Sequence, residues 1–133
     1  MIIATPVGRP DYASPPAHSR RHLDVTVRAN PISDCPLTAA LAAAGGKWKL
    51  IIVYWLAAGP RHFAGLRQEM TISPKVLTEQ LKELVADDIV RREPTGETPA
   101  RVIYSLTHYG RTLVPLVESV RTWGRGHIDH FGD

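Results

Sequence analysis

Only one cysteine, Cys35, occurs in the 133 residues. That excludes an intramolecular disulfide framework and a zinc site of clustered thiolates, and it suits a reducing compartment. Long apolar runs are also missing. The longest, Leu50 to Ala58, falls far short of the roughly 20 residues a helix needs to span a bilayer. The start, Met1-Ile2-Ile3-Ala4-Thr5-Pro6, lacks the basic residues and long apolar stretch of a signal peptide. A cytoplasmic location with no membrane partner is therefore expected. Charge of one sign is scarce too. A net +3 permits a polyanionic partner without requiring one. Catalytic signatures are lacking: there is no nucleophile elbow and no carboxylate pair beside a candidate base, and Gly45-Gly46-Lys47 lacks the spacing of a phosphate-cradling loop. Neither an enzyme nor a cofactor is expected.

What remains is ordinary for one globular domain, with 44% apolar and 22% charged residues. The first 34 residues stand apart, holding Pro6, Pro10, Pro15, Pro16 and Pro31 of the eleven prolines. Pro15-Pro16 forbids regular structure locally. Residues 1–34 are thus expected to be a mostly irregular arm, although Leu23-Asp24-Val25-Thr26-Val27 alternates as a short strand would.

From Cys35 the pattern tightens. Pro36 to Ala44 reads as a helix with proline in its first turn, broken by Gly45-Gly46. Lys47 to Ala58 places Trp48, Ile51, Ile52, Trp55 and Leu56 at helical spacing and is nearly devoid of polar residues, so it should be the buried spine. Gly59-Pro60 ends it, and a short helix follows around His62 to Glu69. Ser73-Pro74 opens the next helix, with Leu77, Leu81 and Leu84 on one face. Lys75, Glu79 and Lys82 lie opposite, with Thr78 on the flank. Asp87-Asp88 ends this helix. Ile89–Glu93 and Arg101–Leu106 read as two strands of a hairpin around Pro94-Thr95-Gly96-Glu97-Thr98-Pro99. Thr107 caps a last helical stretch running towards His130, in which Pro115 predicts a kink or break.

A short helix, a tight turn and an amphipathic helix make a helix-turn-helix, and a basic hairpin directly after makes it winged. The fold class expected is mainly α with a small β-hairpin wing. Such a helix packs its apolar face on the core and offers its polar face to the major groove, while nearby cations meet phosphates. The candidate DNA-binding residues are Ser73, Lys75, Thr78, Glu79 and Lys82 on the helix, with Arg91, Arg92 and Arg101 on the hairpin. A glutamate such as Glu79 can accept from a cytosine amino group. The same pattern also suits a winged-helix protein-interaction module that binds no DNA, because a lysine-bearing face is also the ordinary solvated face of a surface helix. A steep loss of affinity with salt separates the two readings.

A set of residues in order carries a resemblance. Cys35-Pro36, Gly45-Gly46-Lys47-Trp48-Lys49-Leu50, Gly59-Pro60, Phe63, Leu66-Arg67, Ser73, Leu77-Thr78, Leu81, Arg101-Val102, Tyr104-Ser105-Leu106-Thr107, Gly110, Pro115 and Trp123-Gly124 resemble the HxlR-type, MarR-related family of bacterial regulators. The resemblance covers about Cys35 to Phe131. It implies a homodimeric winged-helix transcription factor that dimerises through its terminal helices on double-stranded DNA. Carried over, Ser73 to Lys82 is the recognition helix and Arg91 to Arg101 the wing. Two departures stand out. Met70-Thr71-Ile72 is one residue shorter than the family's Ile-Pro-Gly-Ile turn, and Asp88 replaces a glycine. Residues 35–131 are expected to form the domain.

Cys35 has two readings: an inert thiol, or a sensor. At a helix cap, orphan N–H groups and the helix dipole favour a thiolate, while Asp34 opposes it. The resemblance adds sensing of oxidants or electrophiles by a cysteine at this position. An oxidant or small-molecule effector is therefore a candidate partner. His127 and His130 are three apart near the end of the chain, which is more often a surface pair than a metal site, so no metal is expected. Trp48, Trp55 and Trp123 read as core or dimer-interface residues.

Overall fold

In the computed structural model, residues 34–97 and 101–132 are described. The arm reading for residues 1–33 and the tip of the hairpin, residues 98–100, lie outside them. The elements run α1 (Pro36–Ala44), α2 (Lys49–Ala57), β1 (Arg61–His62), α3 (Phe63–Glu69), α4 (Pro74–Ala86), β2 (Val90–Pro94), β3 (Val102–Leu106), a 3-10 turn (Gly110–Leu113) and α5 (Val114–Phe131). Local chemistry fixes several of these bounds. Pro36 occupies the first turn of α1, and the Gly45 N–H closes that helix on the Leu41 carbonyl. The Ser73 hydroxyl accepts from the Val76 N–H at 3.1 Å and caps α4. The helix α2 starts at Lys49 rather than Lys47, because Gly46 adopts a φ of 87° and Lys47-Trp48 complete the turn.

The core lies where α2, α3, α4 and the sheet meet. Ile52, Val53, Leu56, Leu66, Leu77 and Leu84 are completely buried there. The expected two-stranded hairpin is instead part of a three-stranded antiparallel sheet of order β1-β3-β2. Arg61 pairs with Tyr104 and His62 with Ile103, giving β3 a second neighbour. This strand precedes α3, as winged-helix sheets require, but two residues are too few to carry an alternation.

The expected kink at Pro115 is corrected. The chain passes from the 3-10 turn into α5 with Leu113 and Val114 both in the right-handed helical region, and Pro115 sits in the first turn of α5, where no donor is missed. Thr107 caps the 3-10 turn rather than the long helix. Its hydroxyl donates to the Asp88 carbonyl at 2.6 Å and accepts from the Gly110 N–H at 2.7 Å. Gly110 is required at that place, because a Cβ would collide with the Ile89 carbonyl oxygen. The end of α4, the start of β2 and the start of the last helical stretch are thereby tied at one point.

Among the described residues no single helix is long and apolar enough to cross a membrane; α1 and α2 together are, but they bend by 73° and α2 forms the core.

Candidate nucleic-acid interface

Helix α4 divides its surface as expected. Leu77, Leu81 and Leu84 are buried, while Ser73, Lys75, Thr78, Glu79 and Lys82 are exposed. Among the described residues, Lys75, Glu79 and Lys82 take part in no ion pair, so their charges stand towards solvent. The helix is held from behind by a contact that the sequence pattern did not reveal. The Lys49 ammonium, on a residue only 5% exposed, meets the Glu83 carboxylate at 2.6 Å. This ion pair joins the spine helix α2 to the inner side of α4.

The wing arginines, grouped together by their sequence, are divided between two clefts. Arg91 pairs with Ser105 and Arg92 with Tyr104 in the β2–β3 ladder. Both line a cleft of about 600 Å³ with Val85, Asp88 and His108. Arg101 lies elsewhere. It shares a cleft of about 640 Å³ with Arg61, His62, Val102, Tyr104 and Thr78 of α4. Thr78 and Arg101 are thus brought together, and Arg61 and His62 join them. The sequence reading missed this last pair, whose one signal was its place between Gly59-Pro60 and Phe63.

Asp88 takes the backbone role of the glycine it replaces. Its φ is 64°, in the left-handed region, and its N–H closes on the Val85 carbonyl. The shortened turn keeps Met70 and Ile72 buried, so it still feeds the core on both sides of Thr71.

Cys35 is the N-cap residue of α1 and is exposed. Interaction with the Thr38 side chain, and then with the backbone N–H groups of Thr38 and Leu37, holds its thiol below the usual range. The first and last helices both expose apolar groups. Leu37 is 68% exposed and Leu41 62% on α1. On α5, Leu116, Val120, Trp123 and Phe131 fall on one stripe with His127, and Trp123 is 69% exposed. The His127 ring stacks on Trp123 at 4.9 Å and meets Phe131 edge-on at 5.1 Å. Trp48 and Trp55 pack partly against the core. No cluster of His, Cys, Asp or Glu among the described residues could hold a metal ion.

A capped helix with a polar outer face, backed by a three-stranded sheet, is a winged helix, and the comparison with known proteins places it. The model of the HxlR-like helix-turn-helix family matches residues 43–131. The chain belongs to this family. It is 43% identical over 96 residues to the HTH-type transcriptional regulator YybR of Bacillus subtilis (strain 168), spanning 71% of this chain and 77% of YybR. Among solved structures it is similar to the redox regulator HypR in its oxidised form, with a TM-score of 0.66 and 43% identity over 69% of this chain and 96% of HypR. It is also similar to the HTH-type transcriptional regulator ytcD, with a TM-score of 0.68 and 36% identity over 71% of this chain and 98% of that one. This HxlR-like protein is therefore a transcriptional regulator of the HxlR/MarR type, and its relatives are named as regulators rather than enzymes.

Proposed function

We propose that this HxlR-like protein is a cytoplasmic homodimer that binds a pseudo-palindromic DNA site and represses transcription by occluding polymerase. The observation that carries this reading is the division of α4. Its leucines are sealed in the core, and Lys75, Thr78, Glu79 and Lys82 stand exposed on the other side. In a dimer the two such helices enter successive major grooves about 34 Å apart. Ser73 fixes the start of the reading helix, Thr78 and Glu79 meet base edges, and Lys75 and Lys82 meet phosphates. Arg91, Arg92 and Arg101 supply the wing's backbone contacts. Residues 35–131 form this unit and residues 1–34 an N-terminal arm. The exposed apolar side chains of α1 and α5 support dimerisation through the terminal helices.

Cys35 is the proposed switch. It is exposed, and its thiol is held below the usual range by the start of α1. A similar protein is described as a redox regulator in both oxidised and reduced forms. A two-electron oxidant would join the Cys35 sulfur to Cys35 of the partner subunit or to a small thiol; either way one S–S bond forms, and two protons leave as the oxidant takes up two electrons. Because α1 lies on the dimer side, the change alters the spacing of the two reading helices.

Selection of bound fragments from the source genome, with and without diamide, tests the proposal. The expected result is enrichment of a two-fold-symmetric sequence, lost on oxidation, with the loss abolished in Cys35→Ser. Absence of DNA binding at low salt by a verified dimer overturns the DNA reading. An equal oxidant response in Cys35→Ser overturns the switch.

A further inference from the structure

The cleft shared by Arg61, His62, Thr78 and Arg101 has no role in the pattern read from the sequence. It lies at the side of α4, bounded by the recognition helix on one flank and the start of β3 on the other. Thr78 stands at the border of the exposed face, within reach of a base edge, and the cleft opens beyond it on the side away from the crest. When a helix sits in the major groove its crest meets base edges and its flanks meet the sugar-phosphate strands at the groove's borders. A cleft beside the flank is therefore placed where a strand passes.

The chemistry of the lining suits a phosphodiester. The lining holds two guanidinium groups and one imidazole, and the Arg61 guanidinium is paired with the Glu69 carboxylate at 3.2 Å. Arg61 also donates to the Trp55 carbonyl at 3.2 Å and lies over the Trp55 ring, so it is held in place before any ligand arrives. Arg101 is exposed and forms no ion pair among the described residues. His62 carries the most telling detail. Its Nε2 is shielded from solvent and has no hydrogen-bond partner among the described residues. A shielded polar atom without a partner is an unfavourable arrangement. A turn of the ring towards a phosphate oxygen relieves it, and the side chain's terminal torsion is soft enough to permit that turn.

We infer that this cleft is a seat for one backbone phosphate, held by His62 and Arg101 with Arg61 behind them. The inference rests on the DNA-binding reading above and adds two residues to it. It also divides the wing. Arg101 works with β1 and α4 on one phosphate, whereas Arg91 and Arg92 belong to the separate cleft beside His108.

The contact is independent of sequence, so a fixed 30-base-pair duplex of mixed sequence serves as the probe, with binding followed by fluorescence anisotropy across a salt series. His62→Leu keeps the side chain's bulk and removes the unpaired nitrogen. Its thermal midpoint is expected to hold or rise while affinity for the duplex falls several-fold. In His62→Leu/Arg101→Ala, the slope of log affinity against log salt is expected to become shallower by about one unit per protomer. The double variant is expected to lose less than the sum of the two single losses, because both groups serve one phosphate. Unchanged affinity and slope in His62→Leu, with the wild type binding normally, overturn the seat and leave the DNA reading intact. Failure of the wild type to bind the duplex even at low salt overturns the DNA reading itself.

Discussion

The inner elements and the first and last helices treat their apolar residues in opposite ways. The half built from α3, α4 and the sheet closes on itself: Leu66, Leu77, Leu81 and Leu84 are sealed, and the helix start, helix end and strand junction are all capped. The half built from α1 and α5 does not. Leu37, Leu41, Val120, Trp123 and Phe131 remain largely in solvent, and Val117 is the one buried residue of α5. One half completes its own core and offers polar groups outward, while the other holds apolar surface in reserve. Burial of that reserve against a second copy would explain why a small domain carries so much of it.

The largest effect follows from the closed half. Leu77→Ala should destabilise the fold by about 3 kcal/mol, because a fully buried leucine loses its contacts and leaves a cavity. Leu41→Ala should change the stability of a monomer by less than about 0.5 kcal/mol, as surface substitutions do. Denaturant unfolding at low protein concentration measures both. Equal losses would break the contrast between the halves.

Next comes the ion pair that binds α4 to the spine helix α2. Glu83→Ala leaves the Lys49 ammonium buried without its partner, which should cost about 2–3 kcal/mol, the lower end for buried pairs because Glu83 is itself partly exposed. Replacing both members, in Lys49→Met/Glu83→Leu, should recover most of that loss. Thermal unfolding of the wild type and the two variants reads the comparison. If Glu83→Ala unfolds like the wild type, the pair does not hold α4 to α2.

Much of this architecture was legible because single residues punctuate the chain. Pro36 and Gly45 bound α1, Ser73-Pro74 opens α4, and Asp88 closes it in the glycine's place. What was not legible depends on residues far apart in sequence or on runs too short to show a period. Lys49 looked like one stray charge at the mouth of an apolar run, since nothing local points to Glu83. Arg61-His62 is too short for strand alternation, so the third strand and its cleft went unread. Arg91, Arg92 and Arg101 are close in sequence, and only the folded sheet shows that Arg91 and Arg92 share one cleft while Arg101 lines another. The proline rule was sound, but Pro115 could be placed in a first turn only once the 3-10 turn before it was known.

The open half gives the third prediction. Trp123→Ala should weaken the proposed dimer by about 2 kcal/mol, roughly 30-fold in dissociation constant, as loss of a central aromatic anchor does. Far-ultraviolet circular dichroism should show the helices unchanged. Sedimentation over a concentration series measures the shift, and an unshifted dimer would show that the exposed stripe on α5 is not the seam. Smaller again is the cap of the reading helix. Ser73→Ala removes the 3.1 Å bond to the Val76 N–H and should cost about 1 kcal/mol. Hydrogen exchange at the first turn of α4 should rise locally, without a matching rise in α5.

The smallest expected effect separates the two halves chemically. The Thr38 side chain is the main influence holding the Cys35 thiol below the usual range, ahead of the backbone N–H groups of Thr38 and Leu37. A thiol whose titration is lowered is thiolate over a wider range of pH, and the thiolate is the reacting form. Protonation as pH falls therefore switches reactivity off, and it does so at a lower pH than for an ordinary thiol. In Thr38→Val the lowering is reduced, so the fall in reactivity should move to higher pH. Alkylation by iodoacetamide should be slower than in the wild type near neutral pH, and the two rates should converge once both thiols are fully ionised. Ser73→Ala, at the cap of a different helix, should leave the profile unchanged. If Thr38→Val and the wild type react alike at every pH, the start of α1 does not tune this cysteine, and the open half contributes surface for a partner but no chemistry of its own.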